Sequence, residues 1–317
     1  MNDVNHLIIS STIDYSTDLI CCELERRGLN YLRINRDRFS EYKILYTLQN
    51  DSLSIKQGDQ VFTITPRILK SVYFRAPVFL RNMGKPYTLQ EQLSKSQWSS
   101  FIRNLISFDN VTWVNHPVSI YGAENKLYQL KIARLCGFPV PETYVGNILP
   151  ESIQPELIYI VKSLDTALFY DKGQEMFTYS TMIDGQELLN AEIQSAPIIV
   201  QEYLHDKTDI RVTVIGDTIF AVSITKNGFN IEGDWRKNEK ESLKYSPIDL
   251  PLNVQDQIKE LMHKLGLNFG GIDLALVGDT YYFIEINPTG EWGWLIFTAK
   301  LPIDKVIAEF LVTGGMS

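Results

Sequence analysis

Two short apolar runs near the C-terminal end, 271–277 and 281–287, constrain this chain more than any other stretch. Both alternate with a period of two, the signature of strands with one face turned to a core. In the first, Ile272, Leu274 and Leu276 share one face, and Asp273, Ala275 and Val277 the other. In the second, Glu285 and Asn287, two apart, share a face. Gly278-Asp279-Thr280 between them reads as a three-residue hairpin loop, which pairs Val277 with Tyr281 and sets Asp273 opposite Glu285. A two-residue loop would put the carboxylates on opposite faces. Two bare carboxylates facing each other across a sheet repel, so a cation between them is the natural resolution. With the Asn287 amide they form an all-oxygen set for a hard divalent cation. Mg²⁺ is bound in this way, through one or two carboxylates plus substrate phosphates. A solvated acidic hairpin face is the blander reading, and the surrounding Ile, Leu, Phe and Tyr residues weigh against it.

A chain of 317 residues has room for two or three modules. Its net charge of −8 argues against nucleic acid as a partner, because counterion release needs clustered Lys and Arg. An acidic average still leaves room for a locally basic cleft. The 3 cysteines, Cys21, Cys22 and Cys136, form an odd set that fits a reducing compartment better than a disulfide framework. No Cys/His spacing resembles a zinc site. No run approaches the ~20 apolar residues of a membrane span, and we expect a cytoplasmic protein with no membrane partner.

The chain opens with a strand at 7–10, a helix at about 17–27 ended by Gly28, and a strand at 31–34. No G-x-G-x-x-G lies between strand and helix, so a dinucleotide site is not expected there. Short strands at 43–48, 52–56 and 61–65 read as a meander, followed by a strand at 72–75. A long helix at 89–107 is expected to turn Leu93, Phe101, Leu105 and Ile106 to the core. The stretch 113–117 looks like a link into a second module, with a helix at 123–135, a strand at 157–161, a hairpin around Asp171-Lys172-Gly173 and a helix at 185–194. A hairpin around Gly216-Asp217, helices at 253–265 and 302–311, and the acidic hairpin complete the pattern. We therefore expect an α/β unit followed by two α+β units, with boundaries at 1–117, 118–200 and 201–317.

Several further residues carry candidate chemistry. Lys162 ends the apolar run 157–161, where a lysine costs desolvation unless an anion such as a nucleotide phosphate pairs with it. Lys126 opens a helix, whose exposed N–H groups also favour anions. Taken alone, each reads more simply as a solvated lysine. Gln201-Glu202-Tyr203-Leu204 joins the second unit to the third, and edge backbone groups there could hydrogen-bond an adenine, with Glu202 or Asp209 free for ribose hydroxyls. Arg211 and Arg236 suit charge that builds on phosphoryl oxygens during transfer, although a surface Arg–Asp pair is the commoner reason for such residues. A standard P-loop and the protein-kinase motifs are absent, so any nucleotide is held by another architecture.

Taken in order, these pieces resemble the ATP-grasp superfamily, and within it the microviridin-type or graspetide macrocyclases that modify ribosomal peptides. Three stretches carry the resemblance: Ala123-Glu124-Asn125-Lys126-Leu127-Tyr128-Gln129-Leu130, then Gln201-Glu202-Tyr203-Leu204 with Asp209-Ile210-Arg211, then Glu285-Ile286-Asn287-Pro288-Thr289-Gly290-Glu291-Trp292-Gly293. The last, with its Gly-Glu-Trp-Gly extension, is the most specific. The resemblance implies an ATP-grasp fold behind an N-terminal pre-ATP-grasp domain, with ATP held between two α+β subdomains. Lys126 and Lys162 would contact phosphates, and Gln201, Glu202, Tyr203 and Leu204 would sit by the adenine. Asp273, Glu285 and Asn287 would bind Mg²⁺. Arg211 and Arg236 match positions near the γ-phosphate and the acceptor carboxylate.

The reaction so implied phosphorylates an Asp or Glu side chain of a ribosomal precursor peptide, after which a Ser/Thr hydroxyl or Lys amine closes an ester or amide ring. No protein nucleophile is needed, in keeping with the lack of any Ser/His/Asp or Cys/His arrangement. The 228–245 connection is the expected water-excluding lid. A leader segment of the precursor would dock near the 164–178 hairpin and the 185–194 helix, where Phe169, Tyr170, Met176 and Phe177 offer apolar surface; those aromatics could equally be plain core. The family allows a homodimer, though no interface is legible. Two other readings stay open: an ATP-grasp ligase joining an amino acid to a small carboxylate or protein tail, and a non-catalytic ATP- or peptide-binding module.

Overall fold

The structure, a computed structural model, describes residues 2–75, 88–165, 168–171, 174–177 and 180–315. Its first sheet is parallel, in the order Tyr31–Asn35, His6–Ser10, Ser71–Phe74, Thr112–Val114. Every residue of His6–Ser10 and Ser71–Phe74 is buried, as expected of strands covered on both faces. Asp14 caps the helix Tyr15–Arg26 by accepting from the Thr17 N–H. The expected meander forms from Tyr42–Thr47, Ser52–Gln57 and Gln60–Ile64, and Asn2–Asp3 adds a short parallel strand to its edge. That added strand is too short and polar to read in the sequence.

The helix Leu89–Asn104 begins with a capping box between Thr88 and Glu91. Its buried side is only partly the one expected, with Leu105 and Phe101 on the core. Ile102 and Leu105 are buried, whereas Leu93 and Ile106 are exposed. The helix expected at 123–135 is two helices, Pro117–Ala123 and Lys126–Leu135, broken at Glu124-Asn125, so Lys126 stands at the first turn of the second.

The second sheet is antiparallel, in the order Thr181–Asp184, Ile158–Lys162, Ile198–Glu202, Thr143–Gly146. Its strand Ile198–Glu202 runs on past residue 200. Leu168–Asp171 and Gln174–Phe177 pair as a hairpin. The side chains of Phe169, Tyr170, Met176 and Phe177, named for leader docking, lie outside the described residues.

The third sheet holds the site. Its order is Leu243–Ile248, Thr218–Lys226, Thr208–Ile215, Phe269–Val277, Thr280–Asn287, all antiparallel. One face packs Val212, Val214, Ile272, Leu274 and Phe283 against the helices Lys126–Leu135 and Leu252–Leu265. Ile215, Val222, Ile224 and Phe269 join a second core with Ile303–Thr313, Gly293–Thr298 and the first module's Tyr15–Arg26. Cover on both sides gives the central strands a rigid backbone on which to place polar side chains. Among the described residues no helix is long and apolar enough to cross a membrane, and Cys21, Cys22 and Cys136 are all free.

Candidate active site

The hairpin reaches the expected pairing by a different route. Its turn has two residues, Gly278-Asp279, with Val277 opposite Thr280. Leu274 pairs with Phe283, the register then shifts by one, and Asp273 falls opposite Glu285. Ile284 is the extra residue, a β-bulge. Short turn and bulge offset each other, and the two carboxylates come to one face after all.

An open cleft of ≈ 650 Å³ lies over this face. Lys162, Gln201 and Glu202 line it from the second sheet, Tyr203, Leu204 and Asp209 from the link and the strand after it, Asp234 and Arg236 from the 228–245 connection, and Asp273 and Glu285 from the hairpin. Lys126, Arg211 and Asn287 stand outside its lining. Lys126 donates to the Ser163 carbonyl at 2.9 Å and lies near enough to Lys162 for the two charges to repel. Arg211 is buried behind Asp273, its guanidinium crossing where a Cβ on Gly271 or Gly290 would stand, 2.2 and 2.6 Å from Nη2. Asn287 is exposed, and its Oδ1 accepts from the Thr289 N–H at 3.0 Å.

The charges are unevenly matched. Burial pushes the Lys162 ammonium down, with Glu285 opposing. Lys162 donates to Gln201 Oε1 at 2.8 Å, and Gln201 in turn donates to Thr143. Both lysines are thus held by neutral oxygens, and among the described residues neither has a carboxylate at ion-pair distance, which leaves positive charge for an anion in the cleft. Burial raises Asp209 to about 6, against the pull of Lys207 at 2.6 Å. Burial also opposes ionisation of Asp273, but Arg236 and Arg211 overcome it and hold the carboxyl below its usual range. Arg211 pairs with Asp273 Oδ1 at 2.9 Å. One nitrogen of Arg236 donates both to Asp273 Oδ2 and to Glu285, the latter at 2.9 Å.

These residues fit a divalent cation. Two carboxylates converge on one point, an amide oxygen lies two residues along the same strand, and the guanidinium of Arg236 already occupies the point as a stand-in cation. Asp273 and Glu285 would hold the metal, with Asn287 beside them, its Oδ1 keeping the Thr289 N–H on one lone pair and offering the other.

Several supporting residues escape a reading of the sequence. Asp234 accepts from the Arg236 backbone at 3.0 Å and caps the short turn that carries it. Lys207 neutralises Asp209. Gln129, inside a stretch already singled out, accepts from the Ile286 N–H at 2.8 Å and donates to its carbonyl, which ties the strand Thr280–Asn287 to the helix Lys126–Leu135. Asn115 donates to the carbonyls of Phe269 and Pro288 and accepts from two backbone N–H groups at 268 and 269. Long-range contact defines the roles of Gln129 and Asn115, whereas Asp234 and Lys207 each act on a residue two positions away.

Comparison with known proteins bears on the fold. The family described as RimK-like ATP-grasp domain matches residues 156–311. Among solved structures the chain is similar to macrocyclase MdnC of Microcystis aeruginosa MRC, bound with precursor peptide MdnA, at 28% identity and a TM-score of 0.82 over 98% of this chain and 100% of that one. It is similar in fold to the RiPP-associated ATP-grasp ligase of Chryseobacterium gregarium, solved with ADP and a leader and core peptide, at 24% identity and TM-score 0.83 over 99% and 97% of the two chains. Macrocyclase MdnB of Microcystis aeruginosa MRC shares the fold at 23% identity and TM-score 0.75, over 98% of this chain and 99% of that chain. No curated protein matches by sequence. Residues 156–311 thus match a RimK-like ATP-grasp domain, and the fold of the chain is similar to that of the macrocyclase MdnC.

Proposed function

We propose that the chain is an ADP-forming macrocyclase that activates Asp or Glu side chains of a ribosomal precursor peptide and closes ester or amide rings with Ser/Thr or Lys. The carrying observation is the cleft between the second and third sheets, where Lys162, held by no carboxylate at ion-pair distance, lines the same space as two carboxylates that share one cation position. End-to-end similarity to a macrocyclase solved with its precursor peptide supports a peptide as acceptor. The chain is read as three modules in a cytoplasmic enzyme, the second running from the helix Pro117–Ala123 to the end of the strand Ile198–Glu202 and so slightly past the expected limits of 118 and 200.

In this reading Gln201 to Leu204 bind the adenine edge with their backbone, and Lys162 and Lys126 bind phosphate oxygens. Mg²⁺, held by Asp273, Glu285 and Asn287, would neutralise charge on the triphosphate. Arg236, the more exposed of the two arginines, orients the acceptor carboxylate against the γ-phosphorus, and Arg211 fixes Asp273 from behind. The carboxylate oxygen attacks phosphorus as the bond to ADP breaks. The peptide's own hydroxyl or amine then attacks the activated carbonyl and phosphate leaves. Residues 233–236 line the cleft, which supports the 228–245 connection as the element that excludes water. The leader is assigned to the hairpin Leu168–Asp171/Gln174–Phe177 and the helix Gly185–Asn190.

The test is ADP release with and without a candidate acidic precursor, read with the peptide's mass. Ring closure removes one water per ring. The RimK-like match also supports a second reading, addition of an amino acid to a carboxylate, which would instead raise the acceptor's mass by a residue. Tight ATP binding with no peptide-stimulated turnover would defeat both.

A further inference from the structure

The Gly-Glu-Trp-Gly motif sits just past the metal-bearing strand, yet no step above uses it. Its surroundings explain it. Arg75 follows the first module's strand Ser71–Phe74, and its side chain is only 5% exposed. Its Nη1 donates to the carbonyls of Thr289 and Gly290, both at 3.0 Å, its Nε to Asp14 at 3.2 Å, and its Nη2 to Glu291. The other Glu291 oxygen accepts from Ser16 Oγ at 2.6 Å, and Ser16 Oγ accepts from the Gly293 N–H. Trp292 is fully buried with its indole N–H towards Tyr73. From the opposite side Arg211 donates to the Glu291 carbonyl at 3.3 Å while holding Asp273. Asn287 closes the start of the same turn on Thr289.

We propose that Arg75 is a positioning residue for the metal site: reaching from the first module, it sets the 289–291 turn that fixes Asn287 and, through Arg211, Asp273. The inference rests on the function proposed above and deepens it. A buried arginine that spends two donors on consecutive carbonyls is aimed at backbone geometry, which a simple module-docking ion pair does not require. In metal sites, partners of this kind orient the ligands without touching the ion.

The experiment is a Mn²⁺ titration in the presence of ADP, read by electron paramagnetic resonance, on the full-length wild type, Arg75→Gln and Glu291→Gln, with melting temperatures alongside. Arg75→Gln is expected to weaken Mn²⁺ retention by roughly tenfold or more, the usual effect of removing such a partner. ADP affinity in metal-free buffer should be unchanged. Glu291→Gln, altering a side chain that is 62% exposed, should shift Mn²⁺ in the same direction and less, and it supplies the answer if Arg75→Gln fails to fold. A lower melting temperature with wild-type Mn²⁺ retention in the folded variants would mean that Arg75 merely docks the modules, and would overturn the proposal. A wild type that retains no Mn²⁺ with ADP would overturn the proposed function as well, so the two failures are distinct.

Discussion

Arg211 and Asp273 form an ion pair at 2.9 Å with neither side chain more than 10% exposed. Removing one partner of such a pair leaves the other charge buried, here a guanidinium packed against Gly271 and Gly290 whose other acceptor is the Glu291 carbonyl. Asp273→Ala is therefore expected to cost about 3–5 kcal/mol of stability, measured by urea denaturation. A loss below about 1 kcal/mol, the range of exposed pairs, would show that the pair is solvated. Asp273 variants consequently confound loss of metal with loss of fold.

Glu285→Gln separates the two. Glu285 is 30% exposed and pairs with Arg236, itself 38% exposed. Stability should change by less than about 1 kcal/mol. Mn²⁺ retention with ADP should fall by more than roughly tenfold, since even outer partners of a metal cost that much. Near-normal retention and turnover would remove Glu285 from the metal site.

Arg236 occupies the point at which a cation would sit, donating to both carboxylates from one nitrogen. Protein cation and metal ion thus compete for the same oxygens. Arg236→Gln is expected to tighten nucleotide-free Mn²⁺ binding about fivefold, the equivalent of roughly 1 kcal/mol of relieved competition, while lowering peptide-dependent ADP release. Calorimetry on the nucleotide-free protein checks the first effect. Weaker metal binding in the variant would mean that Arg236 supports the site and does not block it.

The acidic hairpin shows what a sequence reading can reach. Period-two alternation and the demand that both carboxylates meet one cation placed Asp273 opposite Glu285, yet the loop length behind that pairing was wrong. A Gly278-Asp279 turn plus a bulge at Ile284 yields the same facing as a longer loop, and alternation in one chain does not separate the two. The helix 89–104 failed differently. Its apolar residues suit more than one face, and only the meander packed beside it selects Ile102 over Leu93. Asn115 and Gln129 were illegible because their partners lie more than 150 residues away in sequence.

Asp209 offers a test by pH. Burial raises its carboxyl to about 6 against an ordinary 3.8, with Asp273 and Asp234 adding to the rise and Lys207 opposing it. An acid whose folded pKa exceeds its unfolded value binds more protons in the fold, so this group makes the protein less stable as pH rises from about 4 to about 6 and imposes its full cost above that window. At about 1.36 kcal/mol per pH unit the cost is on the order of 3 kcal/mol. Asp209→Asn lacks this titration. Between pH 7 and pH 4 the wild type should gain up to roughly that amount relative to the variant, whatever other groups contribute to both. Denaturant melts of the two proteins across this range measure the difference. A constant gap between them would show that Asp209 keeps an ordinary carboxyl pKa in the fold, with burial either absent or offset in full by Lys207.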